Sequence, residues 1–293
     1  MKWHHRCLSS ILFAFAKLAS YLPLGFLYFK VSILRFFAER VFRYRYQVIV
    51  QNLSRSFPEK NYHEIKVLAH QFYRHFFEIF AEVIKGMSFS TDEARTRFKI
   101  ENPELIQEFH AKGISVIALG GHRGNWEWIS FASLFSTFGT YTLYKPLSSP
   151  VMDHLVNRIR GRFGIKLLAM NQAGRFILSK KDSPALYFFV GDQSPSHKDP
   201  EYSFDFLNQP SLLFTGGAKL ARATKSAVVY VAINKVKRGY YSVKYSIIAE
   251  PHQNKNEQEI LSSYAKMLED DIRLQPAYWL WSHKRWKHKA TNS

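Results

Sequence analysis

The 293-residue sequence holds one cysteine, Cys7, so it can form no intramolecular disulfide and offers no cysteine cluster to zinc. A reducing, cytoplasm-facing location fits that shortage. No G-x-S-x-G elbow is present, which removes the strand-to-helix serine nucleophile from consideration. Acidic residues are scarce: 23 Asp plus Glu against 41 Lys plus Arg leave a net charge of +18. That excess, with 16% aromatic residues, suits an anionic partner such as nucleic acid, phospholipid headgroups or an acidic carrier protein. No RRM, KH or helix-turn-helix signature supports nucleic acid, and no internal repeat, low-complexity tract or interdomain linker interrupts the chain.

What is present begins with LSSILFAFAKLASYLPLGFLYFKVSILRFF, residues 8–37, apolar almost throughout. It lacks the small-residue cleavage site of a signal peptide, and Lys17 and Pro23 spoil every clean window of the ~20 residues a spanning helix needs. Arg35, Arg40, Arg43 and Arg45 follow and belong on the cytoplasmic side by the positive-inside rule. The segment reads as a membrane anchor, either a marginal span or a re-entrant or interfacial helix pair, with a buried hairpin of a soluble fold as the alternative.

Further along, EIKVLAHQFYRHFFEIFAEVIK sets Ile65, Leu68, Phe72, Phe76, Ile79 and Val83 at helical spacing, and Gly86 ends that helix. GISVIALGG, SPALYFFVGD and SAVVYVAIN are short runs rich in apolar residues and bounded by turn formers, hence strands; PVMDHLVNRIRGRFG and EILSSYAKMLEDDIR are helical, and YYSVKYSIIAE adds another strand. The alternation predicts an α/β fold, a mostly parallel central sheet flanked by helices. The expected division is a membrane-anchoring helical segment over 1–46 and an α/β domain over 47–293.

HRGNWE, residues 122–127, is the most pointed chemical signal. Five helical residues turn the chain by roughly 500°, so His122 and Glu127 share no face of one helix. A strand running into Gly120 and Gly121 would present His122 at its carboxyl end; Gly124 permits a bend, Asn125 is a good N-cap, and Glu127 falls in the first turn of a helix from Trp126. From there the acid can fold back on the imidazole, giving a His/Glu dyad at the sheet edge where open α/β folds place their sites. A carboxylate-held histidine is a general base, and with no protein nucleophile at hand the nucleophile is expected to be a substrate hydroxyl. A buried histidine and a helix-terminal acid that merely cap are the structural alternative.

HRGNWE resembles the HxxxxE form of the HxxxxD/E signature of glycerolipid-type acyltransferases. The whole chain resembles more closely the late lipid A acyltransferases of the lauroyl/myristoyl type. VIVQNLSRSFPE (48–59), YKPLSSPVMDHLVNRIRGRFG (144–164), VGDQSP (190–195), FTGGAKLARATKSAVVYV (214–231) and PAYWLWSHKRWK (276–287) are similar to that family's blocks, in order. The resemblance implies His122 as base, Glu127 as its acidic partner, and the Asp192–Gln193 pair near the acceptor headgroup or shaping the site. Arg123, Gly124 and Asn125 complete the motif; Thr215 and Gly216 match the TG block. Two positions depart from the pattern. Lys145 replaces the usual Arg, reducing a bidentate grip to a point charge, and Lys225 replaces a Gly, so the loop there is expected to differ.

The resemblance further implies acyl transfer from an acyl thioester, with acyl carrier protein as donor, to a hydroxyl of a lipid A precursor at the cytoplasmic face of the inner membrane, without metal or other cofactor. Lys145, Arg158, Arg160 and Arg162, with Lys166, Lys219 and Arg222, are the cations expected to bind the phosphorylated acceptor and steer the acidic carrier. Rival readings are another membrane-lipid acceptor (a glycerophospholipid, ornithine lipid or glycosylated inositol lipid) and a non-catalytic basic protein binding membrane or nucleic acid.

Overall fold

The apolar N-terminus folds as two helices because Pro23 cannot donate to a continuing helix. α1 (Trp3–Ser20) and α2 (Leu24–Phe36, helical on to Val41) are bent by 119° at this break; neither alone is long and apolar enough to cross a membrane, although the bent pair is by length and composition. The computed structural model describes residues 2–180, 182–195 and 202–287. Lys17, the charge that interrupts the apolar run, is spent on the fold: its Nζ donates to the Met87 carbonyl at 2.5 Å. Lys85 answers from the opposite side, donating to the carbonyls of Ser20 (3.0 Å) and Leu22 (3.1 Å). A π-helical turn, Phe37–Val41, continues α2 and leads to α3 (Tyr46–Ser56).

α4 (Tyr62–Gly86) starts at a capping box in which Asn61 and Glu64 satisfy each other's backbone N–H groups. Its Ile65, Phe72 and Ile79 are buried as the spacing predicts, but so are His75, Glu78 and Glu82. α5 (Thr91–Arg97), β1 (Phe98–Ile100), α6 (Glu104–Ala111) and β2 (Val116–Gly120) follow. A 3-10 helix, Trp126–Phe135, leads to β3 (Gly139–Tyr144), α7 (Pro150–Arg160), β4 (Lys166–Ala169), α8 (Met170–Ser179) and β5 (Ala185–Val190). The chain then forms the β6–β7 hairpin (Ser203–Phe206, Gln209–Leu212), α9 (Gly216–Thr224), β8 (Ala227–Lys237), β9 (Tyr240–Ala249) and α10 (Glu257–Leu274).

The main sheet runs β1-β9-β8-β2-β5-β3-β4, parallel at every pairing except β8 with β9. Both faces are covered, which is why β2 and β5 are continuously apolar rather than alternating. Ile117 and Leu119 face a core shared with α3, α4, α9 and α10, while Val116 and Ala118 face one built from Phe98, Trp128, Phe131 and Phe188. The mostly parallel α/β fold is therefore as expected. The anchor expectation is met only in that α1 and α2 expose Leu8, Phe15, Leu18, Phe26, Phe29 and Leu34.

Candidate active site

β2 and β5 are parallel neighbours, with Gly120 opposite Val190. Each chain continues past the sheet edge by two residues, so His122 and Asp192 leave side by side. The Asp192 carboxylate is buried and takes three hydrogen bonds: from the His122 ring at Nδ1 (2.6 Å), the His122 backbone N–H (2.7 Å) and the Trp279 indole N–H (2.7 Å). Burial alone would push this carboxyl up. The His122 charge and the hydrogen bonds from His122 and Trp279 outweigh it and hold Asp192 below the ordinary aspartate value. With Nδ1–H donating to Asp192, Nε2 is the basic nitrogen; the Gln193 side-chain amide lies 3.3 Å from it, and Trp126 packs edge-on against the ring.

This pairing corrects the expected dyad. Glu127 directs its carboxylate at Arg160, whose Nε and Nη2 donate at 2.8 and 2.7 Å in a bidentate ion pair. The reason is topological: a 3-10 turn from Trp126 carries Glu127 toward α7, and the place beside the imidazole is filled by the residue leaving the adjacent strand. Glu127 and Arg160 line a narrow apolar cleft with Val83, Gly86, Trp128, Phe131 and Phe163.

The glycines and the turn between strand and helix behave as anticipated, with one exception. Gly124 has φ +58°, and a Cβ there would stand 2.8 Å from the Ile233 carbonyl oxygen, so no other residue fits without shifting the sheet. Asn125 does not cap the following helix with its side chain. It donates instead to Glu82 at 2.7 Å, and the Glu82 carboxylate also accepts from Tyr28 (2.9 Å) and Tyr241 (2.8 Å). Arg123 is buried and donates to the Ile233 carbonyl (2.6 Å), Asn234 (2.8 Å) and Gln275 (3.2 Å), so it serves the fold rather than a ligand.

Of the cations expected to meet substrate, Arg162 is committed elsewhere: it donates to the carbonyls of Gly86 (2.6 Å) and Phe89 (2.7 Å), closing the end of α4. Arg158 lies over the Phe13 ring at 3.7 Å and ties α7 to α1. Arg160 is the partner of Glu127. Lys145 is exposed just beyond β3. Thr215 and Gly216 open α9, whose Gly217 abuts Leu119 near the end of β2, so they share the carboxyl edge of the sheet with the His122–Asp192 pair. Lys225 takes the left-handed conformation natural to glycine (φ 50°, ψ 40°) where α9 ends, a strained conformation for a lysine.

The C-terminal segment supplies what sequence reasoning did not assign. Gly124 N–H donates to the Tyr278 carbonyl (2.9 Å), Leu280 N–H to that of His122 (3.0 Å), and Arg123 pairs with Trp279 as an isolated β-bridge, so this segment clamps the histidine loop. Asn52, from the NL block, donates to the carbonyls of Trp281 and His283, both at 2.9 Å, and holds the clamp in turn. Burial pushes His283 down to about 4, leaving a neutral imidazole near the Asp192 charge. Among the described residues no group of three or more His, Cys, Asp and Glu side chains is placed to hold a metal.

Compared with known proteins, residues 2–288 match the family model described as bacterial lipid A biosynthesis acyltransferase. No curated protein matches the chain. The match spans both the helical N-terminus and the site at the sheet edge, and the chain belongs to the bacterial lipid A biosynthesis acyltransferases.

Proposed function

We propose that the protein transfers a fatty acyl chain from an acyl thioester, carried by acyl carrier protein, to a hydroxyl of a lipid A precursor at the cytoplasmic face of the inner membrane. The observation that carries this reading is a histidine about 20% exposed, with a carboxylate on one ring nitrogen and no cysteine or elbow serine beside it. Such a base activates an alcohol brought by the substrate. His122 Nε2 takes the hydroxyl proton while the oxygen attacks the thioester carbonyl carbon. The tetrahedral intermediate then expels the thiolate, and the imidazolium returns the proton to sulfur, leaving ester and free thiol. Asp192 stays ionised, fixes the tautomer and stabilises the imidazolium. Gln193 releases Nε2 to the incoming hydroxyl.

Glu127 acts in this reading through Arg160, holding its guanidinium in the apolar cleft beside Trp128 and Phe131 rather than orienting the imidazole. Lys145, exposed at the same sheet edge, is the contact for an acceptor phosphate. Lys145→Ala is expected to raise the KM for a phosphorylated acceptor about tenfold, the loss of one charge-assisted contact, with the donor KM unmoved. The exposed apolar side of α1 and α2 is assigned to the bilayer.

The test is acyl transfer by purified protein from labelled acyl carrier protein to a bis-phosphorylated lipid A precursor, with mass spectrometry of the product lipid. A product carrying one added secondary acyl chain supports the assignment. Transfer only to a glycerophospholipid, or only from another thioester, overturns the acceptor or the donor respectively.

A further inference from the structure

Beyond the α2 helix the polypeptide makes an unusual sequence of moves. The π-helical turn Phe37–Val41 is followed by Arg43 at φ 46° and Arg45 at φ 53°, two arginines in the left-handed region within three residues. The Tyr44 carbonyl between them is fixed by the Tyr73 hydroxyl from α4. A pocket of about 400 Å³ opens between this turn and α4, lined by Glu39, Arg40, Arg43, Tyr46, Tyr62, Lys66, Ala69 and His70.

The charges in this pocket do not cancel. Glu39, its only acid, is already shared between Arg35 (3.1 Å) and His70 (2.7 Å). The Arg40 and Arg43 guanidinium groups make no hydrogen bond or ion pair among the described residues, and Lys66 lies over the Tyr62 ring at 5.4 Å. The Tyr46 and Tyr62 side chains add polar groups to the wall. Three cations thus converge on a concave polar site whose one carboxylate is spent. Exposed apolar side chains flank the pocket residues along the chain: Phe36, which lines an adjoining recess, then Phe37, Val41, Phe42 and Tyr44, following directly on α1 and α2.

We propose that this pocket binds the phosphate of an anionic phospholipid of the surrounding bilayer, a site separate from the His122–Asp192 centre. The inference rests on the membrane-facing reading of α1 and α2. Arg40, Arg43 and Lys66 take the headgroup phosphate, while the flanking aromatics sit among the acyl chains at the same depth. The exposed apolar residues that flank the cationic pocket residues along the chain select a lipid over a soluble anion: a free phosphate has no use for them. Its role is to fix the depth and tilt at which the sheet edge meets its lipid acceptor.

The full-length protein is titrated with phosphatidylcholine vesicles and with mixed phosphatidylcholine/phosphatidylglycerol vesicles, in the presence and absence of inorganic phosphate. Wild type is expected to prefer the mixed vesicles. Arg40→Gln with Arg43→Gln weakens binding to mixed vesicles about thirtyfold, Lys66→Gln alone about fivefold, and both leave binding to phosphatidylcholine unchanged. The control Lys99→Gln with Lys244→Gln removes the same charge from β1 and β9 and changes mixed-vesicle binding less than about threefold. Equal losses in the control and the arginine pair, or none in the arginine pair, overturn the site. Displacement of mixed vesicles by millimolar phosphate overturns the lipid as occupant. Failure of wild type to bind either vesicle overturns the membrane reading beneath it, whereas retained phosphatidylcholine binding with no preference overturns the pocket alone.

Discussion

At the scale of single residues, Asp192 is the side chain whose chemistry is most constrained. It is buried, ionised and bonded three times, twice to the histidine it serves. Asp192→Asn keeps the shape but turns an acceptor into a group able to donate to Nδ1, which favours the wrong tautomer; kcat is expected to fall by about 10²–10⁴. Trp279→Phe removes one of the three donors and is expected to lower kcat about tenfold, moving the acid limb of the pH profile without changing the donor KM. Because its folded value is depressed, ionised Asp192 contributes stability at neutral pH that is lost as pH falls through the range below the ordinary aspartate value. Urea midpoints of wild type and Asp192→Asn should therefore converge below about pH 4. A gap that stays constant across the acid range contradicts the ionised assignment. The sequence showed each of these residues but not their pairing. Whether a parallel strand ending at residue 190 lies beside one ending at 120 is decided by sheet order, a long-range matter that no local spacing reports. Glu127, the nearer acid in sequence, was the natural choice and the wrong neighbour.

At the scale of elements, α4 shows why a legible helix still hid its function. Its apolar positions announced the buried side, but His75, Glu78 and Glu82 are buried beside them because each meets a partner from elsewhere: the Gly124 carbonyl, Lys235, and the Asn125–Tyr28–Tyr241 set. Lys235 Nζ lies 3.3 Å from His75 Nδ1, so the ring proton belongs on Nε2, donated to the Gly124 carbonyl at 3.1 Å. Burial foremost, then Lys235, holds His75 well below the ordinary histidine value. The neutral form therefore stabilises the fold fully above the ordinary value, and that contribution is lost as pH falls below about 6.5. His75→Gln, which keeps a donor for Gly124, should cost about 1–3 kcal/mol at pH 7 and flatten the stability profile between neutral pH and about pH 5. A variant as pH-sensitive as wild type would remove His75 from that role. The strands, helix limits and Gly124 bend were readable from local pattern. The C-terminal clamp on the histidine loop was not, because it is made by backbone groups of residues 278–280, and a family-like sequence block reveals that they matter but not what they touch.

At the scale of the whole molecule, the net charge of +18 and the apolar side of α1 and α2 describe a protein with two different surfaces. Replacing Phe15 and Phe29 by Ser removes exposed aromatic rings without touching the Lys17, Lys85 and Tyr28 bonds that dock these helices. The variant is expected to stay folded and to lose about tenfold or more in affinity for vesicles, as apolar area withdrawn from the bilayer predicts. Unchanged sedimentation would assign membrane contact to another surface. In the proposed mechanism one base activates a substrate hydroxyl, and Asp192, rather than Glu127, holds it. The most direct measurement is the pH dependence of single-turnover acyl transfer from acyl carrier protein to the lipid A precursor by wild type, His122→Ala, Asp192→Asn and Glu127→Gln. Transfer is expected to fall by orders of magnitude in His122→Ala, to fall deeply with a displaced acid limb in Asp192→Asn, and to slow with an unmoved limb in Glu127→Gln. Transfer within a few-fold of wild type in His122→Ala, or a limb displaced by Glu127→Gln and untouched by Asp192→Asn, would contradict that mechanism.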